Sequence, residues 1–102
     1  MSDPFKFVQG GCSALNITAP SLVAVPSTTP ITRPVRLARV TVLVAGSAPG
    51  SVNDAATIAS AAVANLVYVI PNTVGSVLVD WPCFNGLVVT PGTGQTVAVT
   101  YD

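Results

Sequence analysis

Turn-forming residues divide this sequence so finely that little room is left for a long helix, and the pieces between them carry the two-residue period of β-strands. Val40, Val42 and Val44 alternate with Thr41 and Leu43, and the run Ala45-Gly46-Ser47-Ala48-Pro49-Gly50 closes that strand with turn residues. Residues 66–70 are apolar throughout, with Tyr68 at their centre, which suits a strand buried on both faces. A turn over residues 71–75 follows. Val77, Val79 and Trp81 then share one parity while Ser76, Leu78 and Asp80 share the other, placing the tryptophan and two valines on a core face until Pro82 ends the run. Residues 87–90 and 96–101 flank Pro91-Gly92-Thr93-Gly94-Gln95, and this glycine-containing connection reads as a β-hairpin. In the second of these strands Val97, Val99 and Tyr101 face one way, and Thr96, Ala98 and Thr100 the other.

Residues 52–65 are ambiguous. Asn53 or Asp54 caps a helix through the alanine-rich stretch on one reading, whereas Thr57, Ile58, Ser60 and Val63 dilute that propensity and favour a loop on the other. Before residue 35 the character changes, because five of the nine prolines fall within residues 1–34. Proline removes a ladder donor and fixes φ, so this region is cut into short extended pieces such as 12–18 and 21–25. The expected architecture is therefore all-β: a small β-sandwich or jelly-roll-like domain over residues 35–102, preceded by a Pro-rich extended N-terminal arm over residues 1–34 with one or two short strands.

Charge is the next constraint. The chain has four acids, four bases and no histidine, and half of its residues are hydrophobic. At 8% charged residues it carries about a third of the usual share, roughly 25%. Outward strand positions that would hold lysine or glutamate in a free monomer hold threonine, serine and alanine, and an edge without charges pairs or packs with another copy. The same shortage argues against an enzyme, since acid–base work leans on histidine, paired carboxylates or a tuned lysine. Asp54 and Asp80 as a hydrolytic pair would need an aromatic and polar cleft, which six aromatic residues hardly supply. The expectation is no catalytic residue, no cofactor and no metal. Gly92-Thr93-Gly94 is an incomplete phosphate-loop pattern and reads as a turn.

Zero net charge leaves no cationic face for nucleic acid or an anionic membrane. Residues 55–79 carry no charge, but Asn65, Pro71, Asn72, Thr73, Gly75 and Ser76 interrupt them, so a membrane span is not expected. The amino terminus lacks a basic region followed by an apolar run, which predicts synthesis in a cytosol. Cys12 and Cys83 belong to no metal-binding spacing and read as two small buried apolar side chains rather than a disulfide, although a bridge formed after leaving the cytosol stays open.

Two groups stand out as interaction residues. Arg33, Arg36 and Arg39 are three of the four cations, placed where the arm meets the β domain. They either pair with carboxylates of a neighbouring subunit or guard an edge strand. Phe5 and Phe7 either anchor in a partner or order the arm.

The pieces Arg39-Val40-Thr41-Val42-Leu43-Val44-Ala45-Gly46-Ser47, Val52-Asn53-Asp54-Ala55-Ala56-Thr57, Val69-Ile70-Pro71, Trp81-Pro82-Cys83-Phe84-Asn85-Gly86-Leu87-Val88-Val89 and Pro91-Gly92-Thr93-Gly94-Gln95 resemble small structural proteins of tailed bacteriophages. The resemblance covers about two thirds of the chain, is compositional, and is to the small β proteins that decorate or cement capsids or form their fibres. It implies a virion component on the capsid surface after synthesis in the host cytoplasm, commonly trimeric, with the major capsid protein as partner. The expectation is a self-associating protein that clamps adjacent capsid subunits through its arm and the arginine cluster. A receptor- or glycan-binding module on a head fibre or tail is the alternative, and Tyr68, Trp81 and Phe84 are its only aromatic candidates.

Overall fold

The computed structural model describes residues 11–27 and 33–102. Eight strands account for most of them: β1 (Cys12–Ile17), β2 (Ser21–Ala24), β3 (Val35–Val44), β4 (Gly50–Asp54), β5 (Leu66–Ile70), β6 (Gly75–Cys83), β7 (Leu87–Thr90) and β8 (Thr96–Tyr101). They form two four-stranded antiparallel sheets in the orders β1-β8-β3-β6 and β2-β7-β4-β5. β1 pairs with β8, β2 with β7, β3 with β6 and β4 with β5. The chain is thus one long antiparallel ribbon, folded back at residues 55–65 and rolled up, with β3 against β8 and β4 against β7 closing the roll. This is the jelly-roll form of the β-sandwich.

Alternation explains the core. Val35, Leu37, Val40 and Val42 of β3 meet Val97 and Val99 of β8 on one inner face, while Val52, Ile70, Leu87 and Val89 fill the other, with Ile17 and Cys83 at the margins. β-Branched side chains suit a pleated surface buried on one side. Tyr68 and Tyr101 pack against this cluster.

β1 and β2 are the two short strands expected within residues 1–34, and each is an edge strand of its sheet. Several other expectations need correcting. Residues 87–90 and 96–101 do not form a hairpin, because β7 and β8 lie in different sheets and the connection between them crosses the sandwich. β5 is an edge strand with Leu66 and Val69 exposed, not a strand buried on both faces. Residues 52–65 begin as β4, continue as a loop and end in a single 3-10 turn, Val63–Asn65. Of Val77, Val79 and Trp81, only Val79 packs on the core, whereas Val77 and Trp81 are exposed. Leu78 pairs with Arg39 and Trp81 with Leu37, so β6 carries one extra residue there, and Asp80 takes a left-handed φ of 54°. Trp81 stands half exposed beside that bulge, although Val79 and Cys83, of the same parity, pack in the core.

One end of the sandwich is tied together by side chains. Asn72 binds the backbone of Gly46, the Ser47 N–H donates to the Thr93 carbonyl at 2.8 Å, and buried Gln95 donates to the Pro71 carbonyl at 3.0 Å while accepting from the Gly92 N–H at 3.0 Å. Connections 45–49, 71–74 and 91–95 are locked to one another in this way. At the opposite end the Asp54 carboxylate accepts from the N–H groups of Phe84, Asn85 and Gly86 at 3.1, 2.7 and 3.3 Å, fixing the turn between β6 and β7.

Candidate assembly surface

The arginine cluster is divided by the fold. Arg36 and Arg39 lie on β3, an interior strand of its sheet, so neither guards an edge as one expectation had it. Arg36 is engaged within the chain: its Nε and Nη2 donate to the Asp102 carboxylate at 3.2 and 2.9 Å, and Nη1 lies 3.7 Å from Asp80. The hydrogen bond to Asp102, and then its charge, hold the guanidinium above its ordinary pKa. The backbones of Arg36 and Asp102 also exchange hydrogen bonds, both at 3.0 Å, so the end of β8 is fastened to β3 by main chain and side chain together. Arg39 is exposed and donates to the Ser76 hydroxyl at 3.3 Å. Arg33 is exposed in the connection between β2 and β3, where its N–H donates to the Ser27 carbonyl at 2.8 Å. Phe5 and Phe7 lie outside the described residues.

Asp54 and Asp80 do not form a pair, since the first holds the 84–86 turn and the second faces Arg36. Asp54 therefore caps a turn distant in sequence, not the segment after Val52. Among the described residues no group of three or more His, Cys, Asp or Glu side chains is set to hold a metal, and no helix is long and apolar enough to cross a membrane. Both cysteines are free thiols. Cys83 is buried and its pKa is pushed up to about 12, chiefly by burial and then by the charge of Asp54, whereas Cys12 is exposed, contrary to the expectation of two buried side chains. Cys12 sits at the start of an edge strand, which no periodicity in its neighbourhood announces.

An apolar, exposed flank is formed by the β5 and β6 edges, which border the two sheets on the same side of the roll. Leu66, Val69, Val74, Val77 and Leu78 are exposed along it. Between the two edges opens a cleft of about 120 Å³ in which the core residues Val40 and Val42 are reached from outside, with Tyr68, Pro71, Thr73 and Val77 on its walls. No Lys, Arg, Asp or Glu occurs from Ala55 to Val79, so β5 and this part of β6 carry no charge of their own, although Arg39 of the adjoining β3 reaches Ser76. Only at Asp80, with its bulge, and at Pro82 does β6 acquire features that discourage further pairing. The other edges are less open, because β1 contains Asn16 at a left-handed φ of 55° beside a register shift and β2 is four residues long between Pro20 and Pro26.

A second exposed feature is the excursion after β4. Buried Asn53 donates to the Ala62 carbonyl at 2.8 Å and to Asn65 Oδ1 at 2.9 Å, and Asn65 in turn receives the Ala62 N–H at 2.9 Å and donates to the Ser60 carbonyl at 2.9 Å. The loop so held lies over the outer face of its sheet, where it borders an open groove with Pro20, Ser51 and Thr90. Val63 stands 89% exposed at the rim. Trp81 and Phe84 are 50% and 64% exposed, so two of the three aromatic candidates lie at the surface. The sequence signal for both was available only in hindsight: each adjoins an interruption, the bulge at Asp80 or the turn at 84–86.

Comparison with known proteins gives no match: no family model fits the sequence, and no curated protein or solved structure matches the chain.

Proposed function

We propose that this chain is a structural protein of a phage particle, a capsid decoration or cement protein that self-associates and stabilises the head by bridging subunits of the major capsid protein. The observation that carries this reading is the uncharged flank of β5 and β6, where open edges and exposed Leu66, Val69, Val77 and Leu78 lie side by side. A monomeric protein guards such edges with charge, proline or a covering loop. The resemblance to small structural proteins of tailed bacteriophages supplies the particle, and it implies a trimer as the unit. Stabilisation follows by mass action, because a protein that binds only the assembled shell shifts the equilibrium towards it. The test is to add the purified chain to heads that lack it and follow the temperature at which they open. Binding with a rise in that temperature is expected, and heads that neither bind the chain nor gain stability refute the reading.

The exposure of Trp81 and Phe84 favours one alternative, a receptor- or glycan-binding module on a head fibre or tail component. Glycan binding that quenches Trp81 fluorescence supports it. A glycan array without hits removes it.

A further inference from the structure

We propose that residues 5–8 of a neighbouring copy add a strand to the β6 edge along residues 75–79, with Phe5 and Phe7 as its anchors. This rests on the reading that the chain self-associates, and it says which parts meet. An edge strand offers a row of unpaired N–H and C=O groups, and what fits such a row is an extended peptide with alternate side chains for pockets. Residues 75–79 are the stretch of β6 free of charge and proline, and the bulge before Trp81 begins only at their end. The cleft beside them, about 120 Å³ and walled by Val40, Val42, Tyr68 and Val77, is on the scale of cavities of roughly 150 Å³ that take up a benzene ring.

The amino-terminal sequence has the matching pattern. Phe5 and Phe7 are two residues apart and so share one face of an extended strand, and Gly10-Gly11 separate that segment from β1. Reach decides whose edge is occupied. Cys12, Tyr101, Leu37 and Trp81 are successive partners across one sheet, so a strand added beyond β6 stands four inter-strand steps from β1, about 19 Å. Val8 precedes Cys12 by four residues, which span at most about 14 Å when straight. Residues 5–8 therefore cannot line their own chain's β6, and the edge they occupy belongs to another copy. Arm on edge is a heterologous contact, in which each copy gives one surface and receives on another, and such contacts close into rings, a trimer among them.

The test uses the full chain in a Cys12→Ser background, which leaves only the buried Cys83. Phe7→Cys and Val77→Cys copies are mixed and oxidised, alongside the double variant, and the mass of the chain is compared with that of Val77→Lys and of a chain lacking residues 2–9. A disulfide between one Phe7→Cys copy and one Val77→Cys copy is expected. Weakening of association by at least about tenfold in the last two variants, with unchanged thermal unfolding, is expected as well. A bridge formed within one chain of the double variant overturns the inference, as does an oligomer that survives both edge and arm changes without a mixed bridge; in that last case self-association itself stands. A parent chain that is monomeric at every concentration sinks both.

Discussion

The side chain of Asn72 occupies both backbone groups of Gly46, accepting from its N–H at 2.8 Å and donating to its carbonyl at 2.7 Å. It does for the 45–49 connection what a neighbouring strand would do. Asn72→Ala leaves a part-buried donor and acceptor without these partners, and a loss of about 2 kcal/mol in denaturant unfolding is expected. Asn72→Asp keeps the acceptor and loses the donor, so it too should fall below the parent.

Gly92 tests the packing of the same end. A Cβ there would overlap the Ala48 carbonyl oxygen, which is main chain and cannot swing aside as a side chain would. Gly92→Ala is expected to cost about 1–3 kcal/mol, read from the denaturation midpoint.

The two thiols should differ sharply. At pH 8 a thiol reagent is expected to label Cys12 alone in the folded protein and both cysteines after unfolding. Burial favours the neutral Cys83 thiol in the folded state, with its pKa at about 12, while an unfolded cysteine titrates near 8.5. Its contribution to stability is therefore complete below about pH 8.5 and is lost as pH rises towards 12. Thermal unfolding between pH 8 and 11 should decline more steeply for the parent than for Cys83→Ala.

Arg36 is expected to serve the fold and Arg39 the surface. Arg36→Gln removes the paired hydrogen bonds to Asp102 and should lower the unfolding temperature, with a difference from the parent that shrinks as salt rises. Arg39→Gln gives up one hydrogen bond to an exposed serine and should leave that temperature nearly unchanged.

The strands were legible because their period is local. Val97, Val99 and Tyr101 announce one face of β8 without help from the rest of the chain. Which sheet a strand joins is not local, and so β7 and β8 passed for a hairpin although buried Gln95 sends the chain across the sandwich. Asp80 shows the same limit on a smaller scale: nothing in the local period marks the bulge at its left-handed φ, beside which Trp81 is half exposed. The three arginines looked like one cluster because they are close in sequence. Asp102, 66 positions after Arg36, separates them in function, and no spacing rule joins those two residues. Low charge was the part of the candidate surface visible in the sequence, but the flank it exposes became definite only when β5 and β6 proved to be edges.

Sedimentation of the purified chain across concentration, at low and high salt, tests most directly whether this charge-poor jelly roll is made to assemble. A reversible oligomer is expected, a trimer by the resemblance to small phage proteins, and its apolar contacts should make it nearly insensitive to salt. A monomer at every concentration, or an oligomer that dissolves as salt rises, would contradict assembly through the apolar flank of β5 and β6.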